Sequence, residues 1–343
     1  MWFPTDNDLR IFMRKIVRVN EENERDNLRD DVVRMRDLLS LLLDRCMESP
    51  NPLPENVKQH FRDIYQSLKL HMEFHGFGRD AAADILNLRE VGEYLELGAD
   101  DAPEIECAID PGSKLLEIFS IMAVYDGQNL GSEEHADLVW QMATDLLRYL
   151  NRPLEGRDRR RNRFRSKVLT KVSLRDEKEK KKKWSAGSSV AVSHFLRPLY
   201  LYNRIRHFKL SLKRAVIYNE PLETAETNVE WQSEAFGGEG YERSKRPCQT
   251  CQSKFRNLQC FGESDPREFS SAQRAEYCPI NQLLPQRPRQ KMRLHGKSLT
   301  LPWDSSVKDV GFFMKTLEIL HRFAGKRQIL ETLNTSAMYT KSM

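Results

Sequence analysis

Four of the six cysteines in this 343-residue chain, Cys248, Cys251, Cys260 and Cys278, crowd into one short stretch, and no other feature restricts its folding as strongly. In Pro247-Cys248-Gln249-Thr250-Cys251 two thiols stand two residues apart. That separation lets both sulfurs turn toward one ion while the intervening amides hydrogen-bond the thiolates. The complete spacing, C-x2-C-x8-C-x17-C, supplies enough ligands for a closed zinc tetrahedron, although its second half lacks a paired C-x2-C. Spacing alone leaves three states open: a closed structural zinc, an open catalytic zinc, or no metal. A redox role for the C-x-x-C is not favoured, because no βαβ pattern surrounds it. Cys46 and Cys107 stand alone in helical sequence and read as small buried packing groups.

Composition sets the class. Hydrophobic residues are 39%, charged residues 31% and the mean hydropathy is -0.64, polar for a globular chain yet too rich in aliphatic and aromatic residues for general disorder. The longest apolar runs, Leu38 to Leu43 and Ile118 to Tyr125, fall well short of the roughly 18 residues that cross a bilayer, so no membrane contact is expected. Acids occupy the first residues, Met1 to Asp8, where a secretory signal needs a basic and then an apolar region. The expectation is a protein of the nucleus, the cytoplasm or both. Six cysteines are too sparse for a disulfide scaffold, which agrees with a reducing compartment.

Residues 1–151 read as an all-α bundle or array. Leu28, Val32, Met35, Leu38, Leu39 and Leu42 recur at helical spacing, and Pro50, Pro52 and Pro54 stop that helix. From Glu55 the period continues through Val57, Phe61, Ile64, Tyr65, Leu68 and Met72 until Gly76 and Gly78 close it. Further helices are predicted over 81–97, 113–125 and 132–150, the last capped by Ser132. Such a bundle offers a surface for a protein partner.

Residues 152–189 change character. Between Arg152 and Lys183 fifteen Lys and Arg face five acids, a surplus of ten positive charges, whereas the whole chain carries +5. Like-charge blocks usually repel themselves into solvated connectors, so this segment is expected to be a flexible basic linker. Its two basic clusters also resemble a bipartite nuclear-import signal or a phosphate-binding arm, which would bring nucleic acid or nucleotide as a partner. With only Phe164 and Trp184 among the charges, base stacking has little support.

Residues 190–343 read as a smaller α+β domain containing the cysteines, which makes the predicted fold class α+β. Phe208, Leu210 and Leu212 alternate with polar residues and Ala215 to Tyr218 is an apolar run, a pattern that predicts one or two strands. Helices are expected to resume over 307–323, capped by Ser306, and again around Ile329 to Leu333.

Pro247-Cys248-x-x-Cys251 resembles the Pro-Cys-x-x-Cys half of the zinc-dependent nucleotide and nucleic-acid deaminase superfamily, over residues 207 to 285 at most. The resemblance implies strands before the motif, zinc as cofactor, and a His-x-Glu or Cys-x-Glu on an earlier helix whose Glu shuttles protons to and from the zinc-activated water. The nearest upstream match is Asn228-Val229-Glu230, with asparagine where imidazole or thiolate is required. Glu230 is therefore one candidate carboxylate. Glu276, in Ala275-Glu276-Tyr277-Cys278, is the other if Cys248, Cys251 and Cys278 hold the metal. The departure points to a deaminase-like domain of doubtful or lost catalytic activity, a zinc-dependent deaminase if active; the alternative is a helical interaction or adaptor protein whose cysteines form a purely structural zinc site.

Other motifs add little. His71 and His75 are spaced i, i+4, but the Glu is not in its His-Glu-x-x-His place, so surface or packing roles are expected. Gly237-Gly238-Glu239-Gly240 lacks the Lys-Ser/Thr of a phosphate loop and reads as a turn, and neither a nucleophile elbow nor a kinase signature set occurs.

Overall fold

The computed structural model describes residues 14, 25–48, 53–98, 102–104, 107–125, 133–150, 162–176, 181–192, 196, 199–200, 203–204, 207–209, 211–212, 215, 222, 229–237, 241, 243–245, 258–261, 275 and 277–284. The helices expected after 306 lie outside them, as do Cys248, Cys251 and Glu276.

Among the described residues six helices precede the first strand: α1 (Arg25–Met47), α2 (Glu55–Phe74), α3 (Arg79–Ile85), α4 (Leu88–Leu95), α5 (Pro111–Tyr125) and α6 (Glu133–Tyr149). The periodic positions are buried as their spacing requires; Leu28, Val32, Met35, Phe61, Ile64 and Leu68 are fully inaccessible. Each such side chain contributes about 1.5–3 kcal/mol relative to remaining exposed. Gly76 ends α2 at φ +78, the left-handed conformation that glycine adopts without a Cβ penalty. Around it the amide of Phe77 donates to Met72 O at 3.1 Å and that of Gly76 to Glu73 O at 3.0 Å, closing the helix in a Schellman arrangement. The single helix expected over 81–97 is two, because Asn87 turns left-handed at φ 54 between them. Asparagine tolerates that conformation better than most residues.

The segment expected as a flexible basic linker instead supplies the centre of a sheet. β1 (Val168–Asp176) and β2 (Lys181–Ser188) form an antiparallel hairpin, Leu169 opposite Ser188 and Asp176 opposite Lys181. β3 (Val229–Gly237) pairs antiparallel with the other edge of β1. Two short strands share the far edge of β3: β4 (Arg243–Lys245) antiparallel beside 235–237, and β5 (Leu258–Phe261) parallel beside 231–234. Charge counting failed here because Val168 and Val172 on one face of the strands, and Leu169 and Ala186 on the other, are buried.

The strand predicted over Phe208 to Leu212 is also corrected, while Val216 to Tyr218 of the apolar run lie outside the described residues. Ser211, Leu212 and Ala215 are helical, and Phe208, Leu212 and Ala215 are buried at spacings of four and three, so the apparent alternation was one turn of a helical stripe. α7 (Tyr277–Leu283) closes the described part.

The fold is α+β, and helices cover both faces of the sheet. Leu169, Trp184 and Ala186 join one core with α1 to α6, while Val172 and Trp231 on the opposite face pack with Phe208, Leu212, Tyr277, Cys278 and Ile280. α7 lies so close to β2 that a Cβ on Gly187 would stand 2.3 Å from Pro279 Cδ and 2.6 Å from Ala275 O. Ser185 Oγ donates to Gln282 Oε1, and Lys209 holds the far end of α7 by donating to Leu284 O and, at 3.3 Å, to Gln282 O.

Candidate functional site

Three of the sequence candidates, Glu230, Cys260 and Cys278, lie among the described residues. Cys260 lies on β5 as the register partner of Ser233, and Glu230 lies near the start of β3 as the partner of Arg175. Cys278 is a free cysteine on α7, 5% exposed among Val172, Phe208, Leu212 and Trp231. Burial pushes its thiol up to about 11, which keeps it protonated and inert at neutral pH. Among the described residues no group of three or more His, Cys, Asp or Glu side chains is arranged to hold a metal. β3 and β5 run parallel, and Cys248 and Cys251 lie between them in sequence, outside the described residues.

Beside Cys278 lies a buried polar network that composition and spacing did not reveal. Asp110 precedes α5 as its N-cap and Pro111 takes the first helical position, where a missing N–H is harmless. Asp110 Oδ1 accepts from the amide of Gly112 at 3.3 Å, and Oδ2 accepts from the Ser113 hydroxyl at 2.7 Å. Arg204, from the helical turns that follow β2, stands 3.6 Å from Asp110 Oδ2, the two side chains being 7% and 2% exposed. Arg204 also donates to Ser113 Oγ and, at 2.9 Å, to the carbonyl of Ser188 at the end of β2. Four residues from three parts of the chain thus lock α5, β2 and the turns after β2 together.

Burial raises the Asp110 carboxyl above its ordinary range, against the pull of Arg204, the Ser113 hydroxyl and the amides of Ala191 and Gly112. The same guanidinium, with Lys114, Glu117 and Asp110, acts electrostatically on Cys278, so the network and the cysteine share one region. Lys114 sits in a second cluster on the α2–α5 contact, 2.8 Å from Glu117 and 3.6 Å from Asp63, with His60 Nδ1 at 3.3 Å. These carboxylates hold the lysine cation above its ordinary range despite burial. The dipeptide Asp110-Pro111 was the legible signal, since Asp before Pro opens helices; nothing nearby announced Arg204.

No known protein family, curated protein or solved structure matches this chain. Among the described residues no helix is long and apolar enough to cross a membrane.

Proposed function

We propose that this chain is a zinc-binding protein with a deaminase-like sheet region that has lost catalysis, and that its basic residues between 152 and 183 associate with nucleic acid or nucleotide. The supporting observation is the order of elements around the cysteines. A β-hairpin, helical turns, and then β3 and β4 precede Pro247-Cys248-x-x-Cys251, and the chain returns in β5 parallel to β3. The sequence resemblance implies a strand pair and a helix before the cysteine motif, and the hairpin and helical turns are in that order, with β3 and β4 added after them.

Cys248 and Cys251 would hold the zinc with Cys260 and Cys278. Bound zinc would supply charge that turns the buried neutral Cys278 thiol into a thiolate. Four sulfur ligands leave no position for a water, and a closed site of this kind stabilises a fold without performing hydrolysis. Loss of catalysis also rests on Glu230, which lies on strand β3 opposite Arg175 rather than at a helix start. The alternative, a helical adaptor with a purely structural zinc, draws support from the continuous core that α1 to α6 share with Leu169, Trp184 and Ala186.

The test is metal analysis of the purified full chain beside Cys248→Ser. About one zinc per chain, lost in the variant, is expected for a shared thiolate site. A chain without zinc removes the metal reading. Assays on free nucleosides and on single-stranded oligonucleotides should show no deamination; activity abolished by Glu230→Gln or Glu276→Gln would overturn the loss of catalysis.

A further inference from the structure

Across the middle of the sheet the register lines up one row of residues from four strands. Ser185 of β2 pairs with Val172 of β1, Val172 with Ser233 of β3, and Ser233 with Cys260 of β5. The row belongs to the layer that α7 covers, since Ser185 Oγ donates to Gln282 of α7 and Val172 packs with Tyr277, Cys278 and Ile280. Two of the four cysteines proposed to hold zinc thus meet in one layer, Cys278 on the helix and Cys260 as the last member of the row.

The same layer contains buried donors with nothing to donate to. Ser233 is fully inaccessible, and Trp231, two residues before it on β3 and so on the same face, is 4% exposed. Among the described residues neither Ser233 Oγ nor Trp231 Nε1 has a hydrogen-bond partner. Thr170 Oγ1, in the next row between Gly187 and Ala235, is equally bare. An indole N–H can only donate, and leaving it or a hydroxyl unmet in the interior is costly. In the cluster around Trp231 the side-chain atoms able to accept are the sulfur of Cys278 and the hydroxyl of Tyr277, and a neutral thiol accepts only weakly. A thiolate accepts strongly.

We infer that Ser233 and Trp231 are positioning residues of the zinc site, Ser233 Oγ–H donating to the Cys260 thiolate and Trp231 Nε1–H to the Cys278 thiolate. The inference rests on the reading above that these cysteines hold zinc. The two donors are idle in the metal-free chain and become engaged when zinc turns the thiols into thiolates, so metal binding and these hydrogen bonds form together. Contacts of this kind orient metal ligands, and losing one typically costs about 10–100-fold in metal affinity.

Zinc affinity of the full chain, measured by competition with a chromophoric chelator, tests this together with urea unfolding of the zinc-loaded and the chelated protein. Ser233→Ala should weaken zinc binding about tenfold or more. It should lower the urea midpoint of the zinc-loaded chain, yet leave that of the chelated chain unchanged or raised, because there it removes a hydroxyl without a partner. A packing role alone would move both forms the same way. Trp231→Phe keeps a ring, loses the N–H and should also weaken zinc binding about tenfold. In the cobalt-loaded chain both variants should move the sulfur-to-metal charge-transfer absorption to longer wavelength, since a thiolate relieved of a hydrogen bond gives up electron density more readily. Ser166→Ala removes another buried hydroxyl without a partner, beside Gly112 at the start of α5, and should leave both affinity and absorption unchanged. Wild-type protein that binds no zinc overturns the inference together with the zinc site. Zinc held at wild-type affinity by Ser233→Ala or Trp231→Phe overturns the role given to that residue and leaves the zinc reading standing.

Discussion

Replacing Arg204 with methionine should leave Asp110 charged, buried and without its cation. The two side chains are 7% and 2% exposed at 3.6 Å. With an effective dielectric constant of about 20, their attraction amounts to about 4–5 kcal/mol. Removing one partner of a buried pair typically destabilises by about 3–5 kcal/mol because the other charge stays behind. Ser188 O and Ser113 Oγ each lose a donor as well, but Ser113 still donates to Asp110, so these bonds add only about 1 kcal/mol. The expected loss near pH 7 is therefore about 4 kcal/mol. The sign of the pH effect follows from Asp110, whose folded carboxyl is already raised by burial and rises further without Arg204. A raised folded value means that proton binding favours the native state: this contribution is complete below the unfolded carboxyl value and is lost as pH rises through the folded one. The deficit of Arg204→Met should accordingly shrink as pH falls from about 7 toward about 4.5. Urea unfolding followed by the fluorescence of the buried Trp184 and Trp231 measures it. The double variant Asp110→Asn/Arg204→Met should be more stable than the sum of the single losses by at least about 2 kcal/mol. An additive double variant, or a deficit that does not change with pH, would refute the reasoning.

Three further outcomes are expected. Gly187→Ala forces a methyl against Pro279 Cδ and Ala275 O and should destabilise the chain by about 1–3 kcal/mol in the same assay; a neutral result would mean that α7 moves freely. If Cys248 holds a metal, Cys248→Ser should lower the thermal midpoint more than Cys46→Ser, and the difference should vanish after chelation. Replacing Lys180 to Lys183 with glutamine should change stability by no more than about 0.5 kcal/mol, since Lys183 is exposed. The same variant should weaken binding to a labelled single-stranded oligonucleotide and flatten its salt dependence; unchanged binding at low salt would remove the basic segment as the contact.

The helices were legible because their evidence is local. Phe61, Leu68 and Met72 declare one buried face within a few turns, and Gly76 marks the end by the one conformation it adopts easily. The hairpin was illegible for a different reason. In β1 the run of buried residues Val168, Leu169, Thr170, Val172 and Ser173 is broken only by Lys171, whose ammonium lies 2.6 Å from Asp137 on α6. A lysine paired in this way stops signalling solvent, and a charge count cannot tell it from a solvated one. At 208–212 the error ran in reverse, since a run of apolar residues at every second position is also compatible with four- and three-residue spacing.

The polar network was hidden by distance in sequence rather than by pattern. Ser113 and Arg204 are separated by 91 positions, and each has an unremarkable local reading, a serine near a helix start and an arginine on a helical turn. Only the sheet brings them together, because β2 delivers the Ser188 carbonyl and hydroxyl to Ser113 and Arg204 at once. The strands that charge counting took for a tether are therefore what joins the helices to the cysteine-bearing half. Perturbing Arg204 should be felt at Cys278, whose thiol the same guanidinium draws downward against its burial, and so in any metal that Cys278 helps to hold.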